Sequence, residues 1–206
     1  MFIAEMNHPM FSMFDMSSLR TGIMAGSLCP IELMRQVEEK MFMKVTSVYG
    51  LTEASPGMTH TRIDDSFETR CTTVGREFEF TEVKVIDPET GEECPVGVQG
   101  EMCNRGYNTM KGYYKNPEAT AEVITEDGWF RTGDLGYLDE DGYLYITGRS
   151  KNLIILGNGK NIYPEELEAQ LMTIDGVKDV MVYERDGKIC AALHPADINN
   201  TDIIHT

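Results

Sequence analysis

The sequence predicts an α/β plus α+β fold, because the pattern of apolar residues changes twice along the chain. Residues 1–65 contain a run at helical spacing and then a β-rich run, which indicate an α/β segment. Residues 72–147 contain short β-rich runs separated by turns, so we expect a small barrel or sheet there. Residues 149–206 hold a strand, a helix and two strands, the pattern of a separate α+β unit.

The α/β segment opens with a glycine-rich stretch at residues 22–27, which we interpret as a turn. Residues 30–41 follow with Pro30 suited to a first helical turn. Residues 44–49 then form a predicted strand that stops at Gly50, so we expect a ligand site at its carboxyl end. The apolar residues predicted to share one face of the helix are Ile31, Leu33, Met34, Val37 and Met41.

In the β-rich segment, two predicted strands lie beside turns of hairpin type. Residues 83–86 precede a turn at 87–91, and residues 137–138 and 143–146 flank a turn at 139–142, which predicts a hairpin over 137–146. Residues 116–124 have a turn and then helical character, so this segment is not purely β.

The last unit begins with an apolar strand at residues 153–156. A helix is expected to open at Pro164, because the two glutamates after it complement the positive end of a helix dipole. Two strands are predicted around residues 177–183 and 188–193.

Charge excludes one class of partner and limits how a phosphate ligand could be held. The 18 basic and 34 acidic residues give a net charge of −16, which opposes binding to a nucleic-acid backbone. A phosphate group would have to be held by local amides, hydroxyls, a metal and one or two cations.

No apolar run approaches the length of a membrane span, and the start lacks a targeting pattern. Five widely spaced cysteines without a CxxC pair favour reduced thiols and a cytoplasmic location.

The motif YGLTE at residues 49–53 combines residue types that suit a nucleotide site. The ring of Tyr49 can pack near a base, and Gly50 permits close backbone approach. Thr52 can bond a phosphate oxygen, and Glu53 can hold a magnesium ion. Taken alone, the same five residues also fit a strand end with a capping threonine or glutamate.

Two later motifs carry a carboxylate and a pair of cations. In WFRTGD at residues 129–134, Asp134 is predicted to follow a tight turn, and it could accept both hydroxyls of a ribose or bond its own backbone. In ITGRSKN at residues 146–152, Arg149 could bond a ribose oxygen or a phosphate, and Lys151 could mark a hinge. An exposed basic linker is the alternative for the second motif.

The order YGLTE, TGD and GRSK, followed by GNGKNIYPEELE at residues 157–168, resembles the adenylate-forming superfamily of acyl-CoA synthetases, luciferases and peptide-synthetase adenylation domains. The resemblance also covers Gly26-Ser27 and residues 74–76 and 105–114. It implies that residues 1–148 are the end of a large AMP-binding domain with a small β-barrel-like subdomain. Residues 149–206 would be an incomplete small C-terminal lid domain.

The resemblance also implies a role for each matching position. Thr52 and Glu53 would be catalytic, at the α-phosphate and the magnesium ion, and Lys151 would be the hinge. Gly159 would lie in a loop that flanks the coenzyme A channel. The nucleotide-binding positions would be Gly26, Ser27, Tyr49 and Gly50 near adenine, Ile146 packed on adenine, and Asp134 and Arg149 at the ribose.

Such enzymes use ATP and Mg²⁺ to convert a carboxylate into an acyl-adenylate and then transfer the acyl group to coenzyme A. The sequence of residues 151–168 is similar to the corresponding sequences of fatty acyl-CoA ligases, so a fatty acid is the expected substrate. An adenylation domain that loads a carrier protein is one alternative. A non-catalytic nucleotide-binding remnant or regulatory module is another.

The sequence departs from complete members of this superfamily at two places. They carry a Ser/Thr/Gly-rich loop for pyrophosphate before the YGLTE motif and a lysine late in the small domain, and these 206 residues contain neither. We therefore expect the chain to be a fragment that does not turn over by itself, since preorganised cations stabilise charge at a reacting phosphate.

Overall fold

The computed structural model describes residues 1–26, 30–152, 154–155, 161–174, 176–185 and 187–195. The chain divides into two compact units. The first consists of Met1–Thr132 and Gly136–Ile146, and the second of Gly133–Leu135 and the chain from Thr147 onward.

The α/β segment of the first unit alternates short helices and strands. Single 3-10 turns lie at Phe11–Met13 and Thr52–Ala54. Its elements are α1 (Phe2–Met6), β1 (Thr21–Ala25), α2 (Ile31–Met41), β2 (Lys44–Tyr49), β3 (Thr59–His60), α3 (Phe67–Thr72) and β4 (Arg76–Glu77).

Helix α2 confirms the predicted helix and most of its apolar face. Met34, Val37 and Met41 are buried together with two residues of the following segment, Met43 and Val45. The predicted face was wrong at Ile31, which is 49% exposed in the first turn. Each buried side chain of this size contributes about 1.5–3 kcal/mol to stability, so this cluster fixes α2 against β2.

Strands β1 and β2 are parallel, with Thr21 opposite Lys44 and Ala25 opposite Val48. The prediction of a turn at residues 22–27 was therefore wrong over residues 22–25. Glycine-rich sequence favours a turn locally, but hydrogen bonding to a neighbouring strand decided the conformation. Within the described part of this stretch, residues 22–26, Gly26 alone has a turn-like backbone, with a φ of +87°.

A buried arginine ties β2 to the helices on either side of it. Arg70 of α3 is 3% exposed and donates to the Glu38 carboxylate and to the Val45 carbonyl oxygen. The Ser47 hydroxyl in turn donates to the Arg70 carbonyl oxygen at 2.6 Å. Because a buried charge is costly without partners, this network specifies how β2 sits between α2 and α3.

The β-rich segment forms a second sheet from four strands: β5 (Thr81–Ile86), β6 (Gly100–Gly106), β7 (Phe130–Leu138) and β8 (Leu144–Arg149). Their order in the sheet is β5-β6-β7-β8. Helix α4 (Pro117–Val123) lies between β6 and β7 in the chain, and Asn116 caps it by accepting from the Ala119 amide. The predicted hairpin at residues 137–146 and the predicted helix at residues 116–124 are confirmed.

The prediction that Asp134 follows a tight turn was wrong, because Asp134 lies inside β7. Gly133 does adopt a φ of +72°, which is a turn-like value held within a strand. Gly-Asp pairs are common in turns, and the neighbouring strands of the sheet overrode that tendency here.

The second unit confirms the predicted order of strand, helix and two strands. Pro164 is the first residue of its helix, as expected. The Glu168 carboxylate accepts from the Val182 amide at 2.7 Å and so ties the helix to the next strand. After a 3-10 turn at Ser150–Asn152, its elements are β9 (Ile154–Ile155), β10 (Asn161–Ile162), α5 (Pro164–Leu171), β11 (Val177–Arg185) and β12 (Lys188–Pro195).

Candidate functional site

The carboxyl ends of β1 and β2 lie side by side, because the two strands are parallel and in register at Ala25 and Val48. Gly26 follows β1, and the YGLTE motif begins at Tyr49, the last residue of β2, so both meet at this edge. Ser27 lies outside the described residues. Ligands of parallel sheets bind at the carboxyl ends of the strands, which makes this edge the place to examine for a site.

Gly50 allows the chain to turn sharply after β2. A Cβ atom at this position would lie 1.8 Å from the carbonyl oxygen of Pro56, which no side chain can accommodate. The amide of Met58 returns to the Tyr49 carbonyl oxygen at 2.8 Å. The segment from Gly50 to Pro56 is therefore a tight loop whose closure depends on glycine at its base.

Tyr49 and Ile146 belong to one apolar cluster. Tyr49 is 9% exposed and packs with Met58, Met102 and other core residues, and Ile146 lies partly buried against the same cluster. An adenine ring could contact only the small part of Tyr49 that remains exposed. Ile146 retains more exposed surface than Tyr49.

Thr52 and Glu53 lie in the 3-10 turn that follows Gly50. Thr52 is exposed and Glu53 is half-buried. Within the described part of the chain, neither side chain caps the turn, whose N-cap is Leu51. This arrangement leaves the Thr52 hydroxyl and the Glu53 carboxylate at the surface of the loop, where they can meet a ligand.

The Glu53 carboxylate is held by a tyrosine sixty residues later in the chain. The Tyr113 hydroxyl donates to Glu53 Oε1 at 2.8 Å. This hydrogen bond, with some desolvation, raises the pKa of Tyr113 above its ordinary value, so the phenol stays a proton donor at neutral pH. The motifs in the sequence indicated no role for Tyr113, although it lies in segment 105–114, which resembles the adenylate-forming superfamily.

Glu53 fits a magnesium ion better than it would fit a zinc or calcium ion. Magnesium is typically bound by one or two carboxylates together with waters and substrate phosphates. Glu53 supplies one partly exposed carboxylate, whose Oε1 accepts a hydrogen bond from the Tyr113 hydroxyl. Across the described residues, no group of three or more His, Cys, Asp or Glu could hold a metal ion by itself. An ion at Glu53 would therefore rely on phosphate oxygens and water for its other ligands.

In the second unit, the two predicted ribose ligands form an ion pair. Arg149 Nε lies 2.9 Å from Asp134 Oδ1, with the Asp134 side chain 6% exposed and the Arg149 side chain 62% exposed. The Ser150 hydroxyl donates to the Gly133 carbonyl oxygen at 2.9 Å and ties the same two chain segments together. Residues 134 and 149 are thus adjacent, as a shared ligand requires.

The predicted hinge lies in the 3-10 turn Ser150–Asn152, which includes Lys151. Next to it, Asn152 Nδ2 donates to Glu165 Oε1 of α5 at 2.6 Å. Gly148 packs closely on the same glutamate, since a Cβ there would lie 2.9 Å from Glu165 Oε2. Gly159, the predicted residue of the coenzyme A channel, lies outside the described residues.

The predicted residues therefore form two groups. Gly26 and the YGLTE motif lie at the edge formed by β1 and β2, with Ile146 in the same unit as part of the Tyr49 cluster. Asp134 and Arg149 form a pair in the second unit, beside the turn that contains Lys151.

Comparison with known proteins decides what these features belong to. The profile of the family described as AMP-binding enzyme matches residues 1–114, which is more than half of the chain. The chain belongs to the AMP-binding enzyme family. This result confirms the resemblance to adenylate-forming enzymes stated above.

Relatives in this family carry names of acyl-CoA ligases. The chain is 55% identical over 183 residues to the putative acyl-CoA synthetase YngI of Bacillus subtilis (strain 168), covering 88% of this chain and 33% of that protein. It is 42% identical over 202 residues to the mitochondrial medium-chain acyl-CoA ligase ACSF2 of Rattus norvegicus, covering 94% of this chain and 32% of that protein. The chain thus spans about a third of the length of these relatives.

Solved structures of adenylate-forming enzymes share the fold. ATP-bound MatB from Rhodopseudomonas palustris matches with a TM-score of 0.76 and 34% identity, over 87% of this chain and 36% of that one. O-succinylbenzoate coenzyme A synthetase (MenE) from Bacillus subtilis, in complex with ATP and a magnesium ion, matches with a TM-score of 0.75 and 33% identity, over 84% of this chain and 36% of that one. Among the described helices, none is long and apolar enough to cross a membrane.

Proposed function

We propose that this chain provides the adenosine- and magnesium-facing part of an ATP-dependent acyl-CoA synthetase. The observation that carries the proposal is the loop at the end of β2, which holds the Glu53 carboxylate at the surface with Oε1 bonded to Tyr113. Two structural relatives, MatB with bound ATP and MenE with ATP and a magnesium ion, support the same assignment.

The proposed reaction has two steps. A carboxylate oxygen of the substrate attacks the α-phosphorus of ATP, the bond to the bridging oxygen breaks, and pyrophosphate leaves. The sulfur of coenzyme A then attacks the acyl carbon of the adenylate, AMP leaves, and the thiol proton passes to solvent or to a base.

Each described residue has one task in this scheme. Thr52, exposed on the loop, donates its hydroxyl to an α-phosphate oxygen. Glu53 provides a ligand for magnesium, which when bound neutralises phosphate charge. Gly26 and Gly50 let backbone approach the adenine closely.

The ribose and adenine would be held by the other two features of the site. Asp134 accepts hydrogen bonds from the ribose hydroxyls, and Arg149 orients that carboxylate through their 2.9 Å contact. Ile146 provides apolar surface for the adenine ring. Lys151 serves as the pivot between the two catalytic steps.

A fatty acid is the proposed substrate class, and coenzyme A the proposed acceptor. The support comes from the relatives, which are named acyl-CoA synthetase and medium-chain acyl-CoA ligase. We also propose that a polypeptide of these 206 residues does not turn over alone, since it spans about a third of those relatives.

Calorimetric titration with AMP and with a non-hydrolysable acyl-adenylate analogue tests the nucleotide site. We expect both ligands to bind the 206-residue polypeptide, and the Asp134→Asn variant to bind more weakly. Absence of binding by the unaltered polypeptide would refute the proposed site. A pyrophosphate-release assay with ATP and fatty acids tests turnover, and a rate similar to that of a full-length synthetase would contradict the expected inactivity.

A further inference from the structure

Three hydrogen bonds join residues 50–57, which follow β2 and are called the YGLTE loop below, to the loop at residues 107–113. Asn108 Nδ2 donates to the Gly57 carbonyl oxygen at 2.8 Å, and the Met110 amide donates to the Glu53 carbonyl oxygen at 2.7 Å. The Tyr113 hydroxyl donates to Glu53 Oε1 at 2.8 Å. The two loops are about fifty residues apart in sequence, so these contacts exist only in the folded chain.

The base of the second loop is anchored rigidly in the β-rich sheet. Asn104 of β6 is fully buried and donates to Asn108 Oδ1 at 3.1 Å and to Thr109 Oγ1 at 3.0 Å. Asn108 is itself 5% exposed. Because buried amides with satisfied hydrogen bonds hold one geometry, the loop starts from a fixed position.

The far end of the loop is also fixed. The Tyr113 amide donates to Thr120 Oγ1 of α4 at 2.9 Å. Gly112 adopts a φ of +142° and lies so close to Thr120 that a Cβ would approach its side chain to 2.8 Å. The backbone of Tyr113 is therefore held by α4, independently of Glu53.

Of the three hydrogen bonds between the loops, two reach backbone carbonyl oxygens and one reaches a side chain. The bonds to Gly57 and to the Glu53 carbonyl fix the backbone of the YGLTE loop. Only the bond from the Tyr113 hydroxyl reaches the carboxylate, and Tyr113 is 38% exposed, so its hydroxyl adds little to core packing. Among the described residues, no other side chain is hydrogen-bonded to that carboxylate. The phenol therefore sets the rotamer of Glu53 and leaves Oε2 to meet a cation.

We propose that Tyr113 is a positioning residue that holds Glu53 in the conformation that binds the magnesium ion of Mg·ATP. This inference rests on the function proposed above. A glutamate has three rotatable side-chain bonds, and a hydrogen bond that fixes them in advance lowers the entropy lost when the ion binds. Groups that orient a metal ligand typically contribute about 10–100-fold to metal affinity.

The test is titration of the 206-residue polypeptide with α,β-methylene-ATP, which cannot be cleaved at the reacting bond, in Mg²⁺ and in EDTA. Tyr113→Phe removes only the hydroxyl. We expect it to weaken binding about tenfold in Mg²⁺ and to leave binding in EDTA unchanged. Tyr114→Phe is the matched control, because Tyr114 is 88% exposed, and it should bind as the unaltered chain does in both conditions.

A double-mutant cycle shows whether Tyr113 acts through Glu53. Glu53→Gln should lose most of the Mg²⁺-dependent affinity, and adding Tyr113→Phe to it should cause no further loss. Additive losses would overturn the inference. So would a Tyr113→Phe variant that binds as the unaltered chain does, or one that loses affinity equally in Mg²⁺ and EDTA, which would indicate a structural role.

Failure of the proposed function gives a different result. If the unaltered polypeptide binds no nucleotide, the nucleotide site and the role of Tyr113 are both refuted. If it binds nucleotide and Glu53→Gln does not alter the effect of Mg²⁺, Glu53 is not the magnesium ligand and Tyr113 cannot position one. If only the Tyr113→Phe result fails, the nucleotide site stands without this inference.

Discussion

Replacing Gly50 by alanine should displace the whole YGLTE loop. The added Cβ would lie 1.8 Å from the Pro56 carbonyl oxygen, and also 2.8 Å from Gly57 Cα. Real Cβ contacts are essentially never shorter than 3.0 Å, so one of the two backbone segments must move by 1.2 Å or more, from 3.0 minus 1.8. Both partners are backbone atoms, so no side-chain rotation can relieve the overlap.

This displacement has a cost in stability and a larger one in binding. Overpacking of this kind costs about 1–3 kcal/mol, which corresponds to a decrease in Tm of about 2–12 °C for a chain of this size. A shift of about 1 Å in a ligand-binding group can lower function about 100-fold. The loss of nucleotide affinity should therefore exceed what the change in stability explains.

Thermal unfolding followed by fluorescence measures the first effect. The chain has one tryptophan, and Trp129 is 8% exposed between Lys84 and Arg105, so its emission reports unfolding of the first unit. Calorimetry with Mg·α,β-methylene-ATP measures the second effect.

Gly26→Ala is the comparison variant. Its Cβ would meet nothing within 4 Å, so its change in Tm reports the cost of the φ of +87° without a steric overlap, about 1–2 kcal/mol. A Gly50→Ala variant with unchanged Tm and unchanged nucleotide affinity would refute the geometry described for this loop.

Three further predictions concern other parts of the chain. In urea unfolding, Arg70→Met should destabilise the first unit by about 3 kcal/mol, because it leaves the Glu38 carboxylate and the Val45 carbonyl without their buried donor. The control Arg35→Met, at an exposed ion pair, should cost under about 1 kcal/mol in the same experiment. Asp134→Asn should lower AMP affinity about tenfold or more by calorimetry, whereas Asp64→Asn, at an exposed position, should not; equal affinities of the two variants would exclude Asp134 from the ribose site. Burial raises the pKa of the Cys103 thiol to about 12 from 9.0, so the unfolded chain loses this proton first as pH rises and stability should fall between pH 9 and about 12. Cys103→Ala should flatten that part of the stability curve, and a curve identical to that of the unaltered chain would contradict the assignment.

Local pattern was sufficient wherever a segment's neighbours in sequence decided its structure. Helix α2 follows from apolar residues at helical spacing, and β2 was predicted with the bounds Lys44–Tyr49 that the structure shows. The Asn116 cap of α4 and the first-turn Pro164 of α5 mark their helices because both act on backbone groups within one turn. The three motifs likewise pointed to the adenylate-forming family, since the residue types and their order are properties of the sequence itself.

The tertiary structure decided what depends on partners distant in sequence. Residues 22–25 form a strand rather than a turn because β2 offers a parallel partner. Asp134 lies within β7 because that strand has a neighbouring strand on each side, β6 and β8. Tyr113 gained its contact with Glu53 across sixty residues, and Arg70 reached Glu38 across thirty-two. No local pattern encodes such a pairing, because a hydrogen bond between remote side chains depends on where folding places both backbones. The sequence alone therefore determined the family and the helices and strands with local signals, whereas only the fold decided which residue holds the carboxylate of the YGLTE loop.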